Sequence, residues 1–296
     1  QQRFLLSFLL LLLLCLGSLV VVNGFVVVSN KAATTTTAFY KSSSLAAAAT
    51  TTTTAVPVYN GVNPTYPGVR ILHNNPPVFT VHDFLTPYEC DFLIHAASDS
   101  FGPAPVVGKG AGEVSPSRTS STCYLAREDL PDLLRKVSAL TGKPVDHCEL
   151  PQVGRYFSSQ QYLQHFDAFD LSNEDGRRFA SNGGQRTVTV LIYLNDVEKG
   201  GQTSFPALNL EVQPKRGMAL VFFPATVDGL LDKAALHAAL PAVDVKYVSQ
   251  VWIRQTSYMG QPSKRLSQTM GVPFGSVSPP PPQQQQPQQV YSYTTR

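Results

Sequence analysis

The chain has 296 residues, of which 43% are apolar and 15% charged, enough for one sizeable core but without the pattern of two. Its formal net charge of +3 supplies no large single-sign field, and no basic run offsets this, so nucleic acid is excluded as an expected partner. One domain with appendages at both ends is the expectation.

From the start of the chain, Phe4 to Val22 is a nearly unbroken apolar stretch of 19 residues preceded by Arg3. It reads as a targeting segment, longer than most secretory cores and close to a membrane span, so a cleaved signal peptide and a signal anchor are both open. Either implies the secretory route, endoplasmic reticulum or Golgi, with membrane attachment if the segment is uncleaved. Thr34–Thr37, Ala46–Ala49 and Thr50–Thr54 then mark an Ala/Thr/Ser-rich spacer, too simple to pack a core. An apolar segment followed by an acid-free Ser/Thr stretch is also the form of a two-part plastid address. The expected layout is a signal or anchor over 1–30, a spacer over 31–75, a domain over 76–260 and a tail over 261–296. Cys90, Cys123 and Cys148 follow Cys15 without metal or redox spacing. One disulfide or three buried thiols would satisfy them.

Within the domain, Thr86-Pro87-Tyr88-Glu89 supplies an N-cap, a first-turn proline and a capping-box glutamate, predicting a helix with Phe92, Leu93, Ala96 and Ala97 on one face. Asp129, Pro131 and Asp132 open a second helix that Leu133, Leu134, Val137 and Leu140 line and Gly142 stops. From Gln152 the texture changes to β-rich runs at 152–157, 187–194, 218–223 and 245–253. Strands this dense, without helices between them, predict an antiparallel sandwich or barrel. Beyond Gly275 come Pro279–Pro282 and Gln283–Gln286, a tail expected to be extended or disordered and to add no core.

The chemistry concentrates in Gln164-His165-Phe166-Asp167. Side chains two apart on a strand project from one face, so His165 and Asp167 can share a metal. An H-x-D triplet arises by chance roughly once per 1000 residues, so spacing alone proves little. His237 would complete a two-His, one-carboxylate face, the ligand set that leaves three positions open on Fe(II) for a 2-oxo acid and O₂. Taken alone, a histidine there is more often core than ligand. Lys246, nine residues on, is positioned to meet the far carboxylate of 2-oxoglutarate as a point charge, or else to sit in solvent.

Seven blocks between Val78 and Arg254 give these residues a context. They are FLTPYECDFLI (84–94), SRTSST (117–122), R-Y-x5-Y-x2-HFD (155–167), RTVTVLIYLNDV (186–197), GGQTSFP (200–206), PKRGMALVFF (214–223) and H-A-A-L-P-x4-K-Y-x4-W-I-R (237–254). In this order they resemble the compact catalytic domains of the prolyl 4-hydroxylase family. The resemblance implies a mainly β fold with supporting helices on a double-stranded β-helix (jelly-roll) core. It implies Fe(II) held by His165, Asp167 and His237, with 2-oxoglutarate and O₂ as cosubstrates and ascorbate as reductant. Lys246 would bind the distal carboxylate of 2-oxoglutarate, supported by Tyr156 and Thr203, while Tyr162, Arg186 and Trp252 would line the groove for a Pro-rich protein or peptide. The expected reaction hydroxylates C4 of a peptidyl proline, giving succinate and CO₂.

Two departures stand out. The family usually has Gly after the second histidine and ten residues from it to the lysine, whereas this chain has Ala238-Ala239 and nine; a slipped strand would turn Lys246 away from the site. Ser159 stands where the family often has Gly. Two alternatives follow: a dioxygenase acting on another residue or a small molecule, and a catalytically silent jelly-roll that binds Pro-rich chains.

Overall fold

The computed structural model describes residues 57–107 and 112–260, and the backbone of 18–22 and 25–29. Most of the apolar segment, the Ala/Thr/Ser-rich stretch and the Pro/Gln-rich tail therefore lie outside the described residues. Within the first unit, Gln1–Ala55, β1 (Ser18–Val22) and β2 (Phe25–Ser29) form an antiparallel hairpin, as their valine content favours. Among the described residues no helix is long and apolar enough to cross a membrane.

The second unit starts at Val56, earlier than the expected boundary at 76. Tyr59, Val62 and Tyr66 pack on the core, and β3 (Val69–Asn74) pairs with β4 (Pro77–Val81). A few large apolar residues anchor this stretch despite its loop-like composition. α1 (Pro87–Ala97) opens with the expected capping box, the Thr86 hydroxyl accepting from Glu89 N and Glu89 accepting from Thr86 N. The short strands β5 (Gly102–Pro103), β6 (Pro105–Val106), β7 (Glu113–Val114) and β8 (Ser121–Tyr124) follow. α2 (Pro131–Thr141) ends at Gly142 in the left-handed region (φ 66°), but its N-cap position is Leu130 rather than Asp129, which closes a 3₁₀ turn. Lys136 of α2 ion-pairs with Glu89 of α1 at 2.7 Å and joins the two helices.

The remaining elements are β9 (Gln152–Tyr156), β10 (Tyr162–His165), α3 (Glu174–Ala180), β11 (Arg186–Tyr193), β12 (Thr203–Phe205), β13 (Leu210–Val212), β14 (Ala219–Phe222), β15 (His237–Ala239) and β16 (Lys246–Arg254). The four expected strands are β9, β11, β14 and β16. α3 corrects the expectation that no helix interrupts them. Seven residues with Asn173 as cap and no apolar stripe give periodicity nothing to detect.

One sheet runs β3-β4-β14-β11-β16-β9-β8-β5 and the other β10-β15-β12-β13, with antiparallel pairing throughout. From β9 onward the chain passes back and forth between the sheets, the two-sheet jelly-roll topology. β11 is buried on both faces, which explains its unbroken apolar run. Val188, Val190 and Ile192 pack with Leu93, Leu133 and Val137 of the helices. Leu191 and Tyr193 point the other way, toward Phe205, Phe222 and Val248 between the sheets. On β16 the same alternation sends Val251 and Ile253 to the helices and leaves Lys246, Val248 and Gln250 facing the interior.

Cys90, Cys123 and Cys148 are buried thiols outside any disulfide, the second of the two cysteine expectations. Beneath β16, Glu149 is clamped by Arg186 (2.6 Å) and Arg254 (2.5 Å). Burial opposes its ionisation, yet the two guanidiniums outweigh burial and hold the carboxyl below the usual range. Breaking a buried charge cluster by removing one member costs about 3–5 kcal/mol, because the remaining charges stay desolvated. Glu149→Gln is therefore expected to lower stability by about 3 kcal/mol, a drop of about 10 °C in Tm for a domain of this size; an unchanged melt would show that the arginines find other partners.

Candidate metal centre

β10 and β15 pair with His165 opposite His237, which brings together two histidines 72 positions apart in sequence. Asp167 lies two residues beyond the end of β10 and turns inward. Its Oδ1 is 3.7 Å from His165 Nε2 and its Oδ2 is 3.8 Å from His237 Nε2. The three ligand atoms all lie within 4.8 Å of one another.

The surroundings fix which atoms face inward. His165 Nδ1 bonds to Leu163 O (2.8 Å) and His237 Nδ1 to Ala235 O (3.0 Å). A carbonyl only accepts, so each Nδ1 carries a proton and each Nε2 is the nitrogen turned toward Asp167, the outer-shell arrangement that orients metal-binding histidines. Burial, with His237 alongside, pushes His165 down to about 3, so it is neutral at neutral pH. Asp167 is held below the usual carboxylate range: burial opposes its ionisation, but His237 and Arg186 outweigh burial, and Thr189 Oγ1 donates to Oδ2 at 2.8 Å. Two imidazoles with inward Nε2 atoms and one carboxylate, gathered within reach of one another, fit Fe(II), a ligand set that leaves positions open for other ligands.

Both histidines line a cavity between the sheets, together with Tyr156, Thr203 and Lys246. Lys246 is 2% exposed. Its Nζ donates to Gly201 O at 2.6 Å, and it lies 5.2 Å from the Tyr156 ring centroid and 5.7 Å from that of Tyr193. No carboxylate among the described residues pairs with it, and burial pushes its pKa down to about 7. The short spacing after His237 has not turned Lys246 outward. The loop from 240 to 245 absorbs it while β16 keeps register, Lys246 opposite Tyr156 and Val248 opposite Gly154. Ser159 supplies in this sequence the left-handed conformation (φ 68°) for which glycine is the usual choice, and its N–H bonds to Ala242 O at 2.8 Å.

A second cleft adjoins this cavity, lined by Asp167 together with Arg118, Tyr124, Tyr162, Phe166, Phe179, Arg186 and Trp252. Tyr162 borders both spaces and stacks on His165 with ring centroids 3.4 Å apart. The Arg186 guanidinium lies 4.0 Å from the Trp252 ring centroid. All nine residues singled out in the sequence thus converge on two adjoining cavities.

Sequence reasoning missed Thr189, Tyr193 and Gln250. Tyr193 donates to Thr203 Oγ1 at 2.8 Å and Gln250 lines the inner cavity. Strand parity could have found all three, since Thr189 and Tyr193 flank the inward Leu191 on β11, and Gln250 lies four residues after Lys246. Arg118 and Tyr124 of the outer cleft carry only weak signals, because Arg118 lies ahead of β8 in an isolated bridge and Tyr124 ends that strand of four residues.

A two-His, one-carboxylate face inside a jelly-roll, beside a buried cationic pocket, defines the class of non-haem Fe(II), 2-oxoglutarate-dependent oxygenases. The family model described as "2OG-Fe(II) oxygenase superfamily" matches residues 151–254. The chain is 36% identical over 215 residues to "Probable prolyl 4-hydroxylase 10" of Arabidopsis thaliana, covering 64% of this chain and 73% of that protein. It is 35% identical over 210 residues to "Prolyl 4-hydroxylase 5" of the same plant, covering 62% and 70%. It is also similar to a solved viral collagen prolyl hydroxylase from Paramecium Bursaria Chlorella virus-1 in its 2OG complex, with 28% identity and a TM-score of 0.47, over 60% of this chain and 95% of that one. The chain belongs to the prolyl 4-hydroxylase family.

Proposed function

We propose that this enzyme hydroxylates peptidyl proline at C4, with Fe(II) on His165, Asp167 and His237 and 2-oxoglutarate anchored by Lys246. One observation carries the reading: His165, His237 and the buried amine of Lys246 line a single cavity, and the aromatic cleft, which Asp167 lines within reach of both histidines, shares Tyr162 with it. When bound, Fe(II) supplies the coupling of O₂ reduction to decarboxylation of 2-oxoglutarate; one oxygen atom enters the C4–H bond of proline and the other enters succinate, with release of CO₂. The chain's own residues do the rest. Lys246 neutralises the distal carboxylate, and Tyr156 and Thr203 add hydroxyl hydrogen bonds, with Tyr193 holding Thr203 in place. Phe205 and Phe222, packed against His237 with ring centroids 5.6 and 4.6 Å away, form an apolar wall that excludes water. Tyr162, Arg186 and Trp252 receive a Pro-rich protein or peptide, and ascorbate serves as the external reductant.

A Pro-rich peptide incubated with Fe(II), 2-oxoglutarate and ascorbate is expected to gain 16 mass units on proline with equimolar succinate. Succinate without that gain would overturn the prolyl assignment and leave an oxygenase with another substrate. The apolar run from Phe4 to Val22 supports entry into the secretory route, endoplasmic reticulum or Golgi. Mapping the N-terminus of protein recovered from membranes distinguishes an anchor from a cleaved signal peptide.

A further inference from the structure

Proline is the proposed substrate, and the chain carries a run of four prolines of its own. Pro279–Pro282 follows Ser278 in a segment, Leu266 to Thr295, that contains no charged residue. The outer cleft suits such a segment: Tyr124, Tyr162, Phe166, Phe179 and Trp252 line it, while Arg118 and Arg186 are its cations. Aromatic-lined grooves receive polyproline II segments because the rings stack on pyrrolidine faces and the ligand gives up little conformational entropy.

The point where the chain leaves the described domain lies beside this cleft. Met259 is fastened to Asn182 by two hydrogen bonds, Met259 N to Asn182 Oδ1 (2.9 Å) and Asn182 Nδ2 to Met259 O (2.8 Å). Asn182 is three residues past Phe179, a lining residue of the cleft, and Arg254 Nη1 donates to Phe179 O at 3.1 Å. Pro279 is 20 residues beyond Met259, a contour of about 66 Å at 3.3 Å per residue. A 200-residue domain has a radius of gyration of only about 16 Å, so the run can reach the cleft without strain. A tether of this length gives a local concentration in the millimolar range, on the order of the weak affinity expected for a short proline segment.

We propose that Pro279–Pro282 occupies the outer cleft of its own chain and is hydroxylated there, which makes the tail both a substrate in cis and a competitor of peptides supplied from outside. The proposal rests on the prolyl reading above. Its chemistry is the same: each event breaks one C4–H bond, inserts one oxygen atom, and consumes one O₂ and one 2-oxoglutarate, yielding one succinate and one CO₂.

The test incubates the full chain with Fe(II), 2-oxoglutarate and ascorbate, without peptide, and reads the tryptic fragment Leu266–Arg296 by tandem mass spectrometry at the end of the reaction. A parallel reaction contains an added Pro-rich peptide. Mass gains of 16 within Pro279–Pro282, at a rate per enzyme unchanged over a tenfold dilution, are the expected result. An unmodified tail beside a modified peptide overturns the proposal and leaves the prolyl reading intact; no gain on either overturns the prolyl reading itself. A rate per enzyme that falls in proportion to dilution overturns the cis assignment. Occupancy is read separately and without turnover, by titrating the peptide into the Mn(II)–2-oxoglutarate form. A variant with all four prolines changed to alanine is expected to bind it about threefold more tightly, and an equal Kd overturns occupancy.

Discussion

Replacing Lys246 with methionine is expected to weaken 2-oxoglutarate binding by about 100- to 1000-fold, the cost of about 3–4 kcal/mol for leaving one charge of a buried pair unmatched. The same substitution is expected to preserve or raise the stability of the apoprotein. Without the cosubstrate, Lys246 is a buried amine that faces only a carbonyl and two aromatic rings and is protonated only at a desolvation cost, which methionine of similar volume does not incur. The pH dependence follows from burial, which puts Lys246 at about 7 in the free protein. The folded lysine binds fewer protons than the unfolded one between about pH 7 and 10.5, so the apoprotein gains stability as pH rises through that window, and the methionine variant lacks that slope. The cosubstrate reverses the preference because its carboxylate requires the ammonium. Each molecule of 2-oxoglutarate should take up about 0.9 proton at pH 8, and Kd should rise about tenfold per pH unit above 8. Calorimetry on the Mn(II) form in two buffers of different ionisation enthalpy measures the uptake. Zero uptake with a flat Kd would show that Lys246 is not the anchor.

Loss of the carboxylate at Asp167 is expected to have the largest effect. Asp167→Asn keeps the shape but removes the only anion in the ligand set, and replaces a carboxylate oxygen with an amide group that already has Thr189 and two imidazoles as neighbours. Binding of Mn(II) or Fe(II) should weaken by more than about 1000-fold, beyond the 10- to 100-fold typical of outer-shell changes, and turnover should fall with it. Thr189→Val supplies the comparison. It removes one hydrogen bond to Oδ2 while leaving all three ligands, so metal affinity should drop by about 10- to 100-fold and excess metal should restore turnover. If excess metal also restored Asp167→Asn to full rate, Asp167 would be a positioning residue rather than a ligand.

The inward orientation of Lys246 removes the reason for expecting a silent jelly-roll. That expectation came from counting nine residues where ten are usual, on the premise that one residue fewer flips a strand. A flip follows only when the deletion is taken up inside the paired segment. Here it falls in the loop between β15 and β16, and β16 stays in register with β9 and β11 over most of its length.

The sequence by itself determined the long, regular parts and the chemical inventory. β9, β11, β14 and β16 are legible because strands buried on both faces need unbroken apolar and β-branched residues, and α1 and α2 because caps, first-turn prolines and an apolar stripe are local signals. The ligands were legible through the H-x-D triplet and the order of the blocks. Tertiary structure decided the rest. β10, β12 and β15, which carry His165, Thr203 and His237, are only three or four residues long, too short for periodicity, and exist because neighbouring strands pair with them. The early start of the domain at Val56 and the helix α3 were set by a few packing residues and one cap. The protonation of the site was likewise beyond local reading: the carbonyls of Leu163 and Ala235 select the histidine tautomers, and enclosure between two sheets brings Lys246 to about 7. A residue's type is written in the chain, but its charge and aim depend on which distant segments surround it.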